Sequence, residues 1–331
     1  MKIAIVKLSA MGDIIHAMVA LQYLKKANST LEIDWIVEQG FAKVLEGNPD
    51  INNILSVQLK SIKKDKKLIF MQIKQLKIYA KNNYDLVIDA QGLLKSALTA
   101  TLLGKNRAGF SKNSIREGVA SYFYTSKVDI AYDANTIDRN ARVLSEPLGI
   151  DITRQMILDK KVFLFYDAAP EIESYLNKEK KNIIFVIGST WESRNYPKEK
   201  FADIANALKE NVLIVWGSLE EKERAEWIEA NSSYAKALAK INLNALKALI
   251  GKSDLLIGND TGPTHMAWGL NIPSITIFGP TPVNRVYETA INKVIKSVSE
   301  INHFKLNKND FSILDIDFKK IVKMAKELLD A

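Results

Sequence analysis

KIAIVKLSAMGDIIHAMVALQYLKKA, residues 2–27, opens with branched apolar residues, crosses a turn at Gly12 and continues with apolar residues at helical spacing. The run 2–8 has the length of one strand, and its near-continuous apolar character suits a parallel strand covered on both faces. Strand, tight turn and helix in that order begin a βαβ unit. The alternation recurs in EIDWIVE (32–38), NNILSVQ (52–58), DLVIDAQ (85–91) and NRAGFS (106–111). After RQMILDKKVFLFYDAAPEIE it restarts with KNIIFVIGS (181–189), NVLIVWGS (211–218), LLIGND (255–260) and SITIFGP (274–280). The two series predict an α/β chain of two facing Rossmann-like domains with parallel sheets and an interdomain cleft. Residues 1–160 form the first domain and 170–310 the second. Residues 311–331 end in a helix whose Phe318, Ile321, Met324 or Ala325 and Leu328 share a face, expected to pack on a domain surface.

Composition narrows the chemistry. The 331 residues carry 46 Lys plus Arg against 38 Asp plus Glu, a formal balance of +8. Length and a hydrophobic share of 47% suit two cores and exclude disorder as the main state. The absence of cysteine excludes a disulfide scaffold, a thiolate metal site and a cysteine nucleophile. Three histidines, His16, His265 and His303, are too few for a His-rich metal site. No apolar run approaches the roughly 18 residues of a membrane span. Lys7 interrupts the N-terminal apolar stretch, and no signal-peptide cleavage site follows it. A soluble, cytoplasmic protein with an acidic partner is expected.

Much of the charge is local. Residues 60–81 contain Lys60, Lys63, Lys64, Lys66, Lys67, Lys74, Lys77 and Lys81 against Asp65 alone. This is either a solvated helix face, with Ile69, Ile73 and Leu76 turned inward, or a landing surface for a polyanion or an anionic membrane. Nucleic acid is disfavoured, because no aromatic platform or known binding module accompanies the lysines.

The polar residues at strand ends are the site candidates. In KLSAMGDIIH (7–16), Asp13 stands where the helix begins, as a helix N-cap or as a general base. In the second case Lys7 and Ser9 orient the reactant or bind its negative charge. The string is not GxGxxG, so classical dinucleotide binding is unsupported. IGSTWESRNYP (187–197) carries Ser189, Thr190 and Arg194 ahead of a helix at Pro197, a donor set suited to a diphosphate or else a capped surface loop. GNDTGPTHMAWG (258–269) ends a strand in Asn259 and Asp260, presents Thr261 and Gly262, and starts a helix near Pro263 or Thr264. That layout directs amides and a positive helix end at an anion, with His265 in the first turn. FGPTPVNR (278–285) lines the same edge. In WGSLEEKERA (216–225), Glu221 or Glu223 either accepts from ribose hydroxyls or is a first-turn helix acid.

Together KLSAMGDIIH, IDWIVEQGFA, YDLVIDAQGLLKSA, IREGVASYFY, WGSLEEKERA and NDTGPTHMA resemble the ADP-heptose:lipopolysaccharide heptosyltransferases over most of the chain. DTGPTH is similar to that family's D-T-G-x-S/T-H motif, and DAQGLLKSA favours the heptosyltransferase I group over the second heptosyltransferase. The resemblance implies the GT-B architecture, with an acceptor-binding first domain and an ADP-sugar-binding second domain. It implies inverting transfer of L-glycero-D-manno-heptose from ADP-heptose to Kdo of Kdo-lipid A, in inner-core lipopolysaccharide biosynthesis, by a peripheral protein on the cytoplasmic face of the inner membrane.

By the same resemblance Asp13 is the catalytic base. Thr261 and Gly262 hold the diphosphate with help from Ser189 and Thr190, Glu221 meets the ribose, and Asp260 meets the heptose or its neighbouring loop. His265 belongs to the same donor set. Arg194 stands where many relatives have a lysine, and Tyr196 where many have Trp. Lys7, Ser9, Lys60, Lys63, Lys64 and Arg116 are the acceptor-side candidates, for Kdo carboxylates and lipid A phosphates. No cofactor is required, and Mg2+ accompanies the diphosphate at most loosely, because Asn259-Asp260 is followed by Thr and no D-x-D motif forms. The competing expectations are another GT-B glycosyltransferase, whether a second heptosyltransferase or a hexose-transferring paralogue, and a non-catalytic sugar-nucleotide or polyanion binding protein.

Overall fold

A computed structural model of the chain describes every residue except Phe304, and Lys63 by its backbone alone. The chain divides into two compact units, Met1–Phe163 and Leu164–Ala331.

In the first unit the elements run β1 (Lys2–Val6), α1 (Met11–Met18), α2 (Leu21–Ala27), β2 (Glu32–Glu38), α3 (Ala42–Leu45), β3 (Asn53–Val57), α4 (Leu68–Tyr79), β4 (Leu86–Asp89), α5 (Leu94–Leu103), β5 (Arg107–Phe110), β6 (Ser126–Val128), α6 (Thr136–Ser145) and α7 (Arg154–Leu158). The strands form one parallel sheet in the order β3-β2-β1-β4-β5-β6, with Ile5 opposite Trp35 on one side and Ile88 on the other. Ala4, Val6, Ile36 and Val87 pack against Leu76 of α4 and Ala100 and Leu103 of α5. Ile3 and Ile5, which alternate with them, are fully buried on the opposite face, so both faces of β1 exclude water, as parallel sheets require.

The helical spacing that follows β1 resolves into two helices rather than one. The amides of Tyr23 and Leu24 both bond to the Ala20 carbonyl, so α2 starts afresh after α1. The first begins at Met11, which makes Asp13 the third helical residue and not the N-cap. Its carboxylate accepts instead from the amide of the true N-cap, Ala10, at 3.2 Å.

The second unit contains β7 (Asn182–Val186), α8 (Lys198–Leu208), β8 (Asn211–Val215), α9 (Leu219–Ala230), β9 (Ala235–Ala237), α10 (Leu243–Gly251), β10 (Leu255–Asn259), α11 (Gly262–Gly269), β11 (Ser274–Phe278), β12 (Asn292–Lys296) and α12 (Phe318–Leu329). Its parallel sheet runs β12-β11-β10-β7-β8-β9. The core gathers Ile183, Phe185, Phe201, Ile214, Ile257 and Ile277. Helix α12 packs on α8. Ile321 and Ala325 are fully buried there, while Phe318, Met324 and Leu328 cover them in part, and Asp317 caps the helix through the Lys319 amide.

Each sheet therefore has the same strand order, and each reverses direction once. The reversal falls between β1 and β4 in the first unit and between β7 and β10 in the second. In open parallel sheets the loops beyond the carboxyl ends of those two strands splay apart and leave a crevice for ligand.

Candidate active site

In the first unit the reversal places the loop after β1 beside the loop after β4. Oε1 of Gln91 accepts from the amides of both Leu8 and Ser9, at 3.1 and 3.0 Å. The turn that carries Asp13 is thus fixed from the neighbouring strand. Trp35 Nε1 donates to the Lys7 carbonyl from below. Asp13 remains half-exposed at the start of α1, so its carboxylate can still be approached.

Lys7 departs from its expected role as an acceptor contact. Its side chain runs into the protein, where Nζ donates to the Ala90 carbonyl at 2.7 Å and to Asn140 Oδ1 at 2.9 Å. Burial pushes its pKa down, while the charges of Asp13 and Asp89 act in the opposite direction. Lys7 therefore ties the β1 strand end to the β4 loop and to α6 from the interior rather than facing a ligand. Asp89 is itself sealed: burial raises its pKa against hydrogen bonds from Tyr124, Ser96 and the Gln91 and Gly92 amides, with the Tyr124 hydroxyl donating at 2.7 Å.

The other acceptor candidates lie at the same strand-end edge of the parallel sheet, after β3 and β5. Ser9 is half-buried. Lys60 is exposed, with its amide donating to Glu38 Oε1 at 2.9 Å and its Nζ 4.5 Å from the centre of the Phe41 ring. Lys64 is exposed, and the side chain of Lys63 lies outside the described residues. Arg116 is exposed beside Glu117, whose carboxylate accepts from the Leu94 amide that opens α5.

In the second unit the loops after β7, β8 and β10 converge. Oε2 of Glu221, in the first turn of α9, accepts from the Gly217 amide at 2.6 Å. Its carboxyl lies against Gly188 so closely that a Cβ there would run into it. Glu221 thus stands beside the Ser189–Thr190 loop, with one oxygen committed to the helix start. The Ser189 hydroxyl, and that of Ser193, are buried without a hydrogen-bond partner among the described residues. Buried donors of that kind call for a ligand or a water.

Of the two expectations for Asp260, heptose or neighbouring loop, the contacts match the loop, which its carboxylate positions. It is 2% exposed. Arg194 donates to its backbone carbonyl and, at 2.8 Å, to Oδ2; Thr281 donates to Oδ2 at 2.9 Å, and Nε2 of His265 stands 3.2 Å from Oδ1. Burial opposes the carboxylate charge, but the His265 hydrogen bond and the Arg194 and Arg285 charges overrule it and hold the pKa far below the ordinary range. Arg194 is in turn mostly buried, against the Trp191 ring and Asp260. It ties the β7 loop to the β10 loop. His265 is buried on Asp260. Thr261, as N-cap, and Gly262, the first residue of α11, stay half-exposed at the positive end of the helix. Thr190 is exposed.

In the second unit the Ser189, Thr190 and Thr261 hydroxyls and the start of α11 suit the anionic part of a phosphorylated ligand, and in the first the half-exposed Asp13 carboxylate suits a proton acceptor. The profile of glycosyltransferase family 9 (heptosyltransferase) matches residues 73–312. The chain belongs to that family. A Campylobacter coli protein named lipopolysaccharide heptosyltransferase 1 is 39% identical, covering 99% of both chains. One of the same name from Pseudomonas aeruginosa is 31% identical, over 85% of this chain and 79% of its own. Among solved structures, E. coli heptosyltransferase WaaC with ADP-2-deoxy-2-fluoro heptose superposes with a TM-score of 0.80 at 24% identity, over 99% of each chain. This shows the shared GT-B fold class and, with the family, a glycosyltransferase.

Three residues that hold these loops, Gln91, Asn140 and Thr281, were not singled out from the sequence. Gln91 lies in the DAQG string but gives no sign of reaching across to Leu8 and Ser9. Asn140 is a polar residue inside an amphipathic helix, and Thr281 lies in a Gly-Pro turn read only as lining the edge. Among the described residues no three His, Asp or Glu side chains gather as a metal site.

Proposed function

We propose that the chain transfers L-glycero-D-manno-heptose from ADP-heptose to Kdo of Kdo-lipid A, with inversion at the anomeric carbon, in assembly of the lipopolysaccharide inner core. The observation that carries the reading is the 39% identity, over 99% of both chains, with a protein named lipopolysaccharide heptosyltransferase 1. The loop chemistry supports it.

In the proposed step a Kdo hydroxyl oxygen attacks the anomeric carbon of heptose. The new C–O bond forms as the bond from that carbon to the diphosphate oxygen breaks. The hydroxyl proton passes to the Asp13 carboxylate, which is accessible and held in the first turn of α1. ADP leaves with the bonding electron pair. The hydroxyls of Ser189, Thr190 and Thr261, the amide of Gly262 and the positive end of α11 receive its charge, as preorganised donors do at other developing anions. The free oxygen of Glu221 is available to a ribose hydroxyl. Arg194 and His265 act through Asp260, by fixing the loop that presents Thr261 and Gly262. The step assigns no role to a resident metal.

Lys60, Lys63, Lys64 and Arg116 are proposed to meet the acceptor's carboxylates and phosphates. The enzyme would then work as a peripheral protein at the cytoplasmic face of the inner membrane. No helix among the described residues is long and apolar enough to cross a membrane.

Asp13→Asn tests the base assignment. It keeps the hydrogen bond to the Ala10 amide within reach while removing the proton acceptor. Turnover should fall by about a hundredfold or more with ADP affinity unchanged. Wild-type turnover in that variant would remove Asp13 from the mechanism.

A further inference from the structure

We propose that the outward face of α4, continued by α5 and the 3-10 turn Gly118–Phe123, is a docking face for an anionic lipid bilayer. Helix α4, LIFMQIKQLKIY, is apolar on two sides and contains no acid. Its inner side is accounted for: Leu76 is buried in the core, and Gln72 is buried where its Oε1 accepts from the Gln58 amide at 2.8 Å. Its outer side is not. Phe70 is 79% exposed, Met71 55% and Ile78 47%. At 3.6 residues per turn these three fall within an arc of about 120° that also contains Lys74 and Lys77. Apolar side chains on a helix face are ordinarily buried, and none of the described residues covers Phe70, Met71 and Ile78.

The neighbouring elements extend it. α4 packs on α5, and α5 packs on the turn Gly118–Phe123; both present apolar residues to solvent, including Leu98 at 46% and Tyr122 at 70% exposure. Exposed aromatic, methionine and aliphatic side chains among lysines on packed neighbouring elements mark an interaction surface. The charge selects the occupant. The two acids nearest in sequence are engaged with backbone, Asp65 with the Lys67 amide and Glu117 with the Leu94 amide. A second copy seated face to face would oppose Lys74, Lys77 and Lys81 to themselves. An anionic bilayer attracts the lysines and accepts the apolar residues at its interface, where aromatic rings are also at home. The proposal rests on the reading of the acceptor as a membrane lipid. It adds the side chains by which the enzyme would enter that surface, distinct from Lys60, Lys63 and Lys64.

Co-sedimentation of the full chain with phosphatidylglycerol–phosphatidylcholine vesicles and with pure phosphatidylcholine vesicles tests it. Wild-type protein should bind the first, lose binding as salt rises, and bind the second at least about tenfold more weakly. The Phe70→Ser/Met71→Ser/Ile78→Ser variant and the Lys74→Gln/Lys77→Gln/Lys81→Gln variant should each weaken binding to the anionic vesicles by at least about tenfold. Both should turn over a deacylated, water-soluble Kdo acceptor at the wild-type rate. Wild-type vesicle binding by both variants would overturn the docking face, as would a lipid-free dimer that the apolar variant abolishes. Failure of the wild-type chain to use the soluble acceptor would count against the transferase reading and leave the vesicle comparison to stand alone. As a measurement independent of the triple variants, Phe70→Trp should blue-shift its added emission on anionic vesicles and be quenched by brominated lipid. Emission unchanged by vesicles would also overturn the proposal.

Discussion

Asp13 and Asp260 are two carboxylates placed in opposite environments. Asp13 is half-exposed and holds one backbone amide. Asp260 is enclosed by Arg194, Thr281 and His265. Removing the charge of Asp260 strands the buried guanidinium. Asp260→Asn should therefore destabilise the second unit by on the order of 3 kcal/mol, read as a shift in the urea midpoint, and weaken ADP binding. Lys160 makes a second prediction, this time in pH. It is 9% exposed, and burial lowers its pKa from 10.5 to about 8. The unfolded chain keeps that proton up to the higher value and the folded chain only to the lower, so between them the unfolded state binds more protons and stability rises with pH. Lys160→Met should be the more stable protein at pH 7, by at most about 3 kcal/mol. The advantage should shrink above pH 8 and vanish near the ordinary lysine value, as thermal melts across that range would show. The polar residues of the site were legible in the sequence because they stand directly after apolar strands. Their partners were not: whether Lys7 faces solvent or the interior depends on Asn140, 133 residues away, and no local pattern announces such a contact.

Among the elements, α11 is held close to its sheet at Gly258. A Cβ on Gly258 of β10 would stand 2.7 Å from Thr264 Oγ1 of α11 and 2.7 Å from Val186 Cβ of β7. Thr264 in turn donates to the Asn259 carbonyl. Gly258→Ala should cost about 1–3 kcal/mol in stability. It should also weaken ADP binding, measurable by titration calorimetry, because α11 can make room only by carrying Thr261 and Gly262 away from the β7 loop. Unchanged ADP affinity would separate the diphosphate site from that helix start. The central strands, such as KIAIV, NIIFV and SITIF, are buried on both faces and so appear as apolar runs, and NILSV of edge strand β3 was legible through its own short apolar run. β6 and β9 are three-residue edge strands, SKV and AKA, and edge strand β12 reads NKVIK, with Lys293 and Lys296 breaking its apolar run. An edge strand of that kind is solvated on one side and defended against pairing by charge, which removes the apolar run that would have marked it.

For the whole molecule, the informative regularity is that one strand order is used twice. Every strand-end string singled out as a donor-side candidate falls at or beside the single reversal of the second sheet, and the Asp13 turn falls at that of the first. This was legible because strand–loop–helix order fixes which loops share an edge, even where the partners of individual side chains stay hidden. The C-terminal helix fits the same logic: its apolar face was readable from its spacing, while its seat on α8 depends on Tyr196 and Lys200 reaching the Ile316 carbonyl. In the proposed function these two loop sets carry out heptose transfer to a Kdo lipid. The most direct test is mass analysis of the product after purified protein is incubated with ADP-heptose and Kdo-lipid A. The account predicts one heptose added to the lipid, ADP released in equal amount, and neither product from Asp13→Asn. An acceptor unchanged in mass with ADP-heptose, but extended when a UDP-hexose is supplied instead, would contradict it.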